Sequence, residues 1–337
     1  MLNRRDMIAA LGLGATGTLA LGAGASRAAD AAARPHIYMI TFRGETEVER
    51  GYRDYFAANG VDALFTTRDI DRDVRKLPAL VEEIRAQKPD LVYTWGTPVT
   101  LGVAGRFDAA DQARHIVDIP VVFALVAAPV AAGIIPSLER PGRRVTGAIH
   151  VVPPEKQLRA MKSYRPFRTL GVLYSRSEQN SVAIVEELRR LAGPMEFRLV
   201  ERTFATNAQG APLADGVEEL VAQIRREGGD WLYYLPDTFL GTIYGRVSPA
   251  ALAEGLPTFG AAELAVREGG ALVGLISRYY SVGQLAASKS IEILKGRDPA
   301  AIPAETLKRF SLIINMEVAK KLAFYPPLAM LNYAEVI

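Results

Sequence analysis

The sequence predicts an α/β protein of two Rossmann-like lobes, each built on a parallel doubly wound sheet. Three observations predict it. From residue 36 onward, apolar runs of five to seven residues alternate with amphipathic stretches, as strands do when helices cover both faces of their sheet. The pattern restarts near residue 169, which divides the 337 residues into two halves, each about the length of one such lobe. The tail beyond residue 281 is too short for a third domain, so its pieces must complete the sheets already begun.

In order, HIYMITF (36–42) reads as a strand followed by a helix over 46–59, VDALFTT (61–67) by one over 73–87, and LVYTWG (91–96) by one over 98–107. VVFALV (121–126) closes this series, and RRVTGAIHVVPPEKQL (143–158) reads as the first connection between halves. TLGVLYS (169–175) precedes a helix over 178–192, FRLVERTF (197–204) one over 213–227, and WLYYLP (231–236) one over 239–254. LPTFGA (256–261) precedes 262–268, and ALVGLIS (271–277) follows. The tail offers a helix over 282–295, a strand over 310–316 and a last helix, which makes the chain cross between lobes more than once. The N-terminal lobe is then expected to hold 36–147 and about 280–306, and the C-terminal lobe 150–277 and about 310–337.

Composition narrows the function. There is no cysteine, which excludes disulfides, thiolate metal sites, a cysteine nucleophile and an N-terminal lipid on that residue. His36, His115 and His150 are too far apart in sequence to suggest a metal-ligand pair, and no metal or cofactor is expected. Of 40 basic residues, Arg4, Arg5 and Arg27 fall in the first 29, with Asp6 the one acid there; the remainder holds 37 basic against 36 acidic residues. The scattered charge gives no footprint for nucleic acid.

The first 29 residues read as an export signal. Arg4 and Arg5 precede a weakly apolar, glycine- and alanine-rich stretch with Met7-Ile8 after the pair, and small residues follow. This resembles a twin-arginine signal. Its many glycines make Met7 to Ala25 a poor stable membrane helix. Cleavage is expected between Ala25 and Ala31, leaving an unanchored monomer in the periplasm.

Ligands of doubly wound sheets sit beyond the carboxyl ends of the strands, so the loops after strands carry the functional reading. In WGTPVTLG (95–102), Thr97 can cap a helix and Pro98 suits its first position. Free backbone N–H groups there suit a carboxylate or phosphate, although on sequence alone a plain helix start accounts for the residues better. The glycine-rich dinucleotide fingerprint is absent. YSRSEQNS (174–181) offers Ser175, Ser177, Asn180 and Ser181 as ligand contacts or helix caps. Asp237 in LPDTFLG (235–241) can meet a ligand ammonium or cap the next helix, whereas Glu263, in the same kind of position, reads as an ordinary first-turn glutamate. Tyr279 and Tyr280 fall at the second connection, whereas Tyr93, Trp95, Phe123 and Tyr233 read mostly as core. No GxSxG elbow and no paired carboxylates support catalysis.

VVFALVAAPVAAGIIPSLERPGRRVTG (121–147) resembles the signature region of the ABC transporter substrate-binding family that includes tryptophan- and tyrosine-binding lipoproteins. WGTPVTLG, GVLYSRSEQNS (171–181), YLPDTF (234–239), the long block 270–305 and the C-terminal block 312–337 resemble that family's other blocks in order and spacing, over about residues 36 to 337. The resemblance implies a class I periplasmic binding protein: two lobes, a three-crossover hinge, and closure around a small ligand for delivery to an ABC permease. It implies that Thr97 and the N–H groups after it hold a carboxylate, that Leu125, Val126 and Ala127 line the same wall, that Asn180 and Ser181 contribute from the other lobe, and that Asp237 pairs with an amino group. A ligand-presenting role for a membrane sensor, or an exported enzyme on the same fold, are the alternatives. Two departures stand out. Ala128 replaces the family's Asp of Asp-Pro-Val, and Arg143-Arg144 replaces Gly-Asn in RPGGNVTG. The FRGETE loop (42–47) matches no family block.

Overall fold

A computed structural model describes residues 34–337; the export signal read over 1–29 lies outside them. The chain begins with β1 (His36–Thr41), α1 (Glu47–Ala58), β2 (Leu64–Asp69), α2 (Leu77–Gln87), β3 (Leu91–Trp95), α3 (Gly96–Ala104), β4 (Val121–Val126) and β5 (Val145–Ile149). It continues through α4 (Pro154–Tyr164), β6 (Thr169–Tyr174), α5 (Gln179–Ala192), β7 (Arg198–Thr203), the short pair β8 (Ala205–Thr206) and β9 (Pro212–Leu213), and α6 (Val217–Arg226). Then come β10 (Trp231–Tyr234), α7 (Tyr244–Ala253), β11 (Thr258–Gly260), α8 (Glu263–Arg267), β12 (Val273–Ile276) and α9 (Tyr279–Leu294). The chain ends with β13 (Glu305–Thr306), β14 (Ser311–Ile314), α10 (Met316–Lys321), α11 (Leu328–Leu331) and β15 (Glu335–Val336).

These elements form two main sheets. One has the order β13-β5-β4-β3-β1-β2, the other β15-β14-β12-β11-β10-β6-β7. In β1, β3, β4, β6 and β10 nearly every residue is buried, which is why their sequences show no polar alternation. The chain passes between the sheets three times, at 150–153, 277–278 and 307–310. The first sheet is parallel throughout, but β14 runs antiparallel to β12. A strand that enters from the other lobe through a short link is free of the helical crossover that enforces parallel order. Among the described residues no helix is long and apolar enough to cross a membrane.

Other expectations are corrected. The segment 143–158 is more than a connection, because it contains β5 and the start of α4. VTGAI is short and carries Gly147, where a Cβ would strike the Phe123 ring of β4. The helix expected from 213 begins at Val217, after the β8–β9 hairpin. α9 begins at Tyr279, earlier than residue 282, and packs along α1. α1 itself starts with a capping box: Val48 N–H donates to Thr46 Oγ1 (3.3 Å), and Thr46 N–H donates to Glu49 Oε2 (2.7 Å).

Candidate functional site

The carboxyl ends of the strands of both main sheets meet around a cavity of about 70 Å³. It is continuous, at Arg43, Arg72, Leu264 and Tyr279, with a wider hollow of about 1150 Å³.

One wall is aromatic. Phe42, just after β1, stacks on Trp95 at the end of β3, with ring centroids 5.5 Å apart and planes 10° from parallel. The next residue, Arg43, lays its guanidinium carbon 5.1 Å from the Trp95 ring centroid. Tyr279 meets His150 edge-on at 6.1 Å, and Tyr244 completes the lining. The indole Nε1–H of Trp95 and the Nδ1 of His150 are buried without a hydrogen-bond partner. Burial pushes the His150 imidazole down to about 4, against an opposing backbone hydrogen bond to Val126 and with help from the Arg43 charge. The ring is therefore neutral near pH 7.

α3 presents its N-terminus to this wall. Gly96 turns the chain from strand to helix at φ +77°, a region that a side chain would strain, and no side chain caps the helix start. Gly96 and Thr97 line the cavity. At the opposite end, Arg143 donates to the carbonyls of Gly105 (2.9 Å), Ile134 (3.0 Å) and Ala104. A cation at that end satisfies otherwise orphan carbonyls and complements the helix dipole. The departure at Arg143 thus has a structural reason in the seating of α3.

β4 ends with a kink. Leu125 adopts φ +56°, and the register with β5 shifts between Ala124 and Val126. A left-handed leucine costs roughly 1–2 kcal/mol. The kink turns Leu125 and Ala127 to the cavity and leaves Val126 buried behind them.

The other lobe contributes Asn180, Pro236, Asp237, Thr238 and Ala262. Asp237 is buried and saturated. Its Oδ1 accepts from Ser175 Oγ (3.2 Å) and Leu240 N–H (2.9 Å), and its Oδ2 from Ser175 N–H (2.7 Å) and Ser181 Oγ (2.8 Å). Beside it, Glu178 accepts from the N–H groups of Thr238 (2.9 Å) and Phe239 (3.1 Å). Burial raises both carboxyls, and the charge of Asp237 adds to the rise at Glu178. Two acids do therefore meet here, contrary to the sequence reading, and both are committed to backbone and hydroxyl donors. Glu263 is engaged too: it accepts from Arg267 Nε (2.8 Å) and, across the second crossing, from the Tyr279 backbone N–H.

The sequence-predicted residues divide clearly. Thr97, Leu125, Ala127, Asn180, Asp237 and Tyr279 come together around the cavity. Pro98 and Val126 stand beside it, outside the lining. Ser177 is exposed on its loop, and Ser181 lies buried behind Asp237. Thr97 is not a cap, because α3 already begins at Gly96 with Trp95 flanking it. The start of α5 is likewise flanked by Glu178 and has no side-chain cap, so the loop serines and Asn180 do not cap it. Ala128 is one residue beyond the lining, in a turn where its carbonyl accepts Ala132 N–H (2.9 Å).

Sequence reasoning missed Arg43, Arg72, Tyr244 and His150, and assigned Trp95 to the core. His150 directly follows β5, so the strand-end rule finds it once that strand is recognised. Arg43 directly follows the first strand-end phenylalanine and was open to the same rule.

The model of the family described as ABC transporter substrate binding protein matches residues 40–337. The chain is 28% identical over 275 residues to a tyrosine-binding protein of Clostridioides difficile (strain R20291), covering 81% of this chain and 73% of that protein. A conserved domain protein of Vibrio cholerae is similar in structure, with a TM-score of 0.76, 26% identity and coverage of 90% of this chain and 99% of that one. An ABC domain from Streptococcus pneumonia in complex with L-Trp superposes with a TM-score of 0.76 at 23% identity, covering 90% of this chain and 100% of that one, a likeness of fold. The two-lobe architecture is that of class I periplasmic binding proteins.

Proposed function

The chain belongs to the ABC transporter substrate-binding protein family, and from that premise we propose that it captures a small carboxylated solute, amino-acid-like or aromatic, in the cleft between its lobes and delivers it to an ABC importer. The observation that carries the reading is the uncapped start of α3 beside the Phe42–Trp95–Tyr279 wall. Free N–H groups and the helix dipole attract a carboxylate, and the aromatic rings cover an apolar body. Thr97, Leu125, Ala127 and Asn180 are the contacts we assign to the ligand. The aromatic solutes of the tyrosine-binding relative and of the L-Trp complex support that choice.

The cavity of about 70 Å³ is roughly the share of two water molecules. An aromatic acid needs more, so the lobes separate to admit it and close on it. This role places the mature chain in the periplasm, as a monomer that meets a permease at the membrane.

A thermal-shift screen of carboxylated metabolites tests the proposal. A ligand at 100 times its Kd adds about 2.7 kcal/mol of stability. Absence of any shift across amino acids, aromatic acids and aliphatic acids refutes it.

A further inference from the structure

We propose that the ligand is an organic acid without an amino group, and that Arg43 is the residue that selects it. This rests on the reading of the cleft as a solute site and narrows it. The argument is an inventory of donors and acceptors.

An amino acid needs a counter-charge for its ammonium. Asp237 is the one carboxylate lining the inner cavity among the described residues. Its two oxygens already accept four protein hydrogen bonds, the full capacity of a carboxylate. Glu178 behind it and Glu263 at the rim have each oxygen engaged as well. Among the described residues no unengaged acid lines the inner cavity; Glu268 lines only the wider hollow outside it.

Donors, by contrast, are in surplus. Arg43 is half-buried against Trp95 and has no hydrogen-bond or ion-pair partner for its guanidinium among the described residues. Two of the arginines around it are matched, Arg53 to Glu45 at 2.7 Å and Arg267 to Glu263 at 2.8 Å. His150, Tyr244 and Tyr279 line the cavity with Arg43 and are not anionic near pH 7, and the Asp237 carboxylate there is already saturated. Arg43 alone thus brings a guanidinium of five N–H donors to the cavity lining. The buried Trp95 Nε1–H, a donor only, also lacks an acceptor. A ligand ammonium would sit near an arginine with no acid to offset it, whereas a carboxylate or keto oxygen satisfies these groups. Arg72, whose backbone N–H is tied to the Phe42 carbonyl at 2.7 Å, adds a second positive charge at the mouth.

The test uses matched trios sharing one side chain: 3-(4-hydroxyphenyl)propionate, L-tyrosine and tyramine, and the corresponding phenyl and indole sets, titrated calorimetrically into the wild-type protein. The acid is expected to bind about tenfold or more tightly than its amino acid, and the amine not at all, since a charge-assisted contact is worth at least that factor. Arg43→Gln is expected to cost the acid about tenfold or more, with Arg43→Lys losing less, while circular dichroism and melting stay as in wild type. An amino acid that binds more tightly than its acid overturns this inference and leaves solute binding standing. Unchanged acid affinity in a folded Arg43→Gln overturns the role of Arg43. No binding of any carboxylated member overturns this inference and leaves the solute-binding proposal to the broader thermal-shift screen. If the variants fail to fold, the wild-type ranking within each trio decides alone.

Discussion

Gly51 of α1 lies directly against the backbone carbonyl of Tyr280 at the start of α9, with no room for a Cβ between them. Gly283 repeats the arrangement one turn later against the Val48 carbonyl. The two helices thus approach backbone to backbone, and α9, which enters from the second crossing, is fixed to the N-terminal sheet by that contact.

Gly51→Ala and Gly283→Ala are each expected to force the helices apart. Overpacking of this kind costs about 1–3 kcal/mol. Urea unfolding followed by circular dichroism checks it, and a loss below about 0.5 kcal/mol contradicts the packing account.

Arg143→Ala removes two hydrogen bonds to carbonyls at the far end of α3 and a third to the Ile134 carbonyl. Leaving buried acceptors unpaired costs about 1–3 kcal/mol. Because α3 carries the proposed carboxylate site at its other end, ligand affinity is expected to fall along with stability. Arg143→Lys restores charge without the fork and recovers part of each.

His150 makes stability depend on pH. Its folded pKa of about 4 lies below the ordinary value of about 6.5. The unfolded chain therefore takes up the proton first on acidification. The contribution is present above about pH 6.5 and is lost as pH falls toward about 4. Against His150→Gln, wild-type stability is expected to drop by a further 2–3 kcal/mol, roughly, between pH 7.5 and 4.5. Glu178 has the opposite sign: its raised folded value stabilises at low pH and the benefit fades as pH rises. Urea melts of Glu178→Gln over the same range separate the two.

The chain has two tryptophans. Trp95 lines the cavity, whereas Trp231 is buried in the core of the other lobe. Ligand titration is expected to change intrinsic emission through Trp95 alone. Trp95→Phe should abolish the change and leave the Trp231 signal steady; persistence of the full change places the ligand elsewhere.

Much of the fold was legible because strands covered on both faces leave unbroken apolar runs, as in VVFALV and WLYYLP. β5 was not, because five residues with a central Gly147 look like a linker until Phe123 is placed against that glycine. At the cavity, the family resemblance pointed to Leu125 and Ala127, and the rule that ligands gather at strand ends pointed to Thr97, Asn180 and Asp237. It did not disclose that Asp237 is spent on Ser175, Ser181 and Leu240, since saturation is a property of three-dimensional neighbours. Nor did it mark Arg43, whose importance lies in the partner it lacks.

The bond from Glu263 to the Tyr279 N–H ties a C-terminal-lobe side chain to the first residue of a helix that is locked onto α1. That point acts as a fulcrum. Rotation of one lobe against the other leaves atoms near it almost still and sweeps those farther away through growing arcs. Under the proposed closure Tyr279, with Thr97 and Leu125 of the same lobe, forms the standing side of the chamber, and Asn180 and Asp237 of the other lobe ride on the long arm of the lever. In that proposal a solute would be laid against Tyr279 and the start of α3 first and met by the moving wall afterwards, so its acid group would be grasped before its far side is gauged.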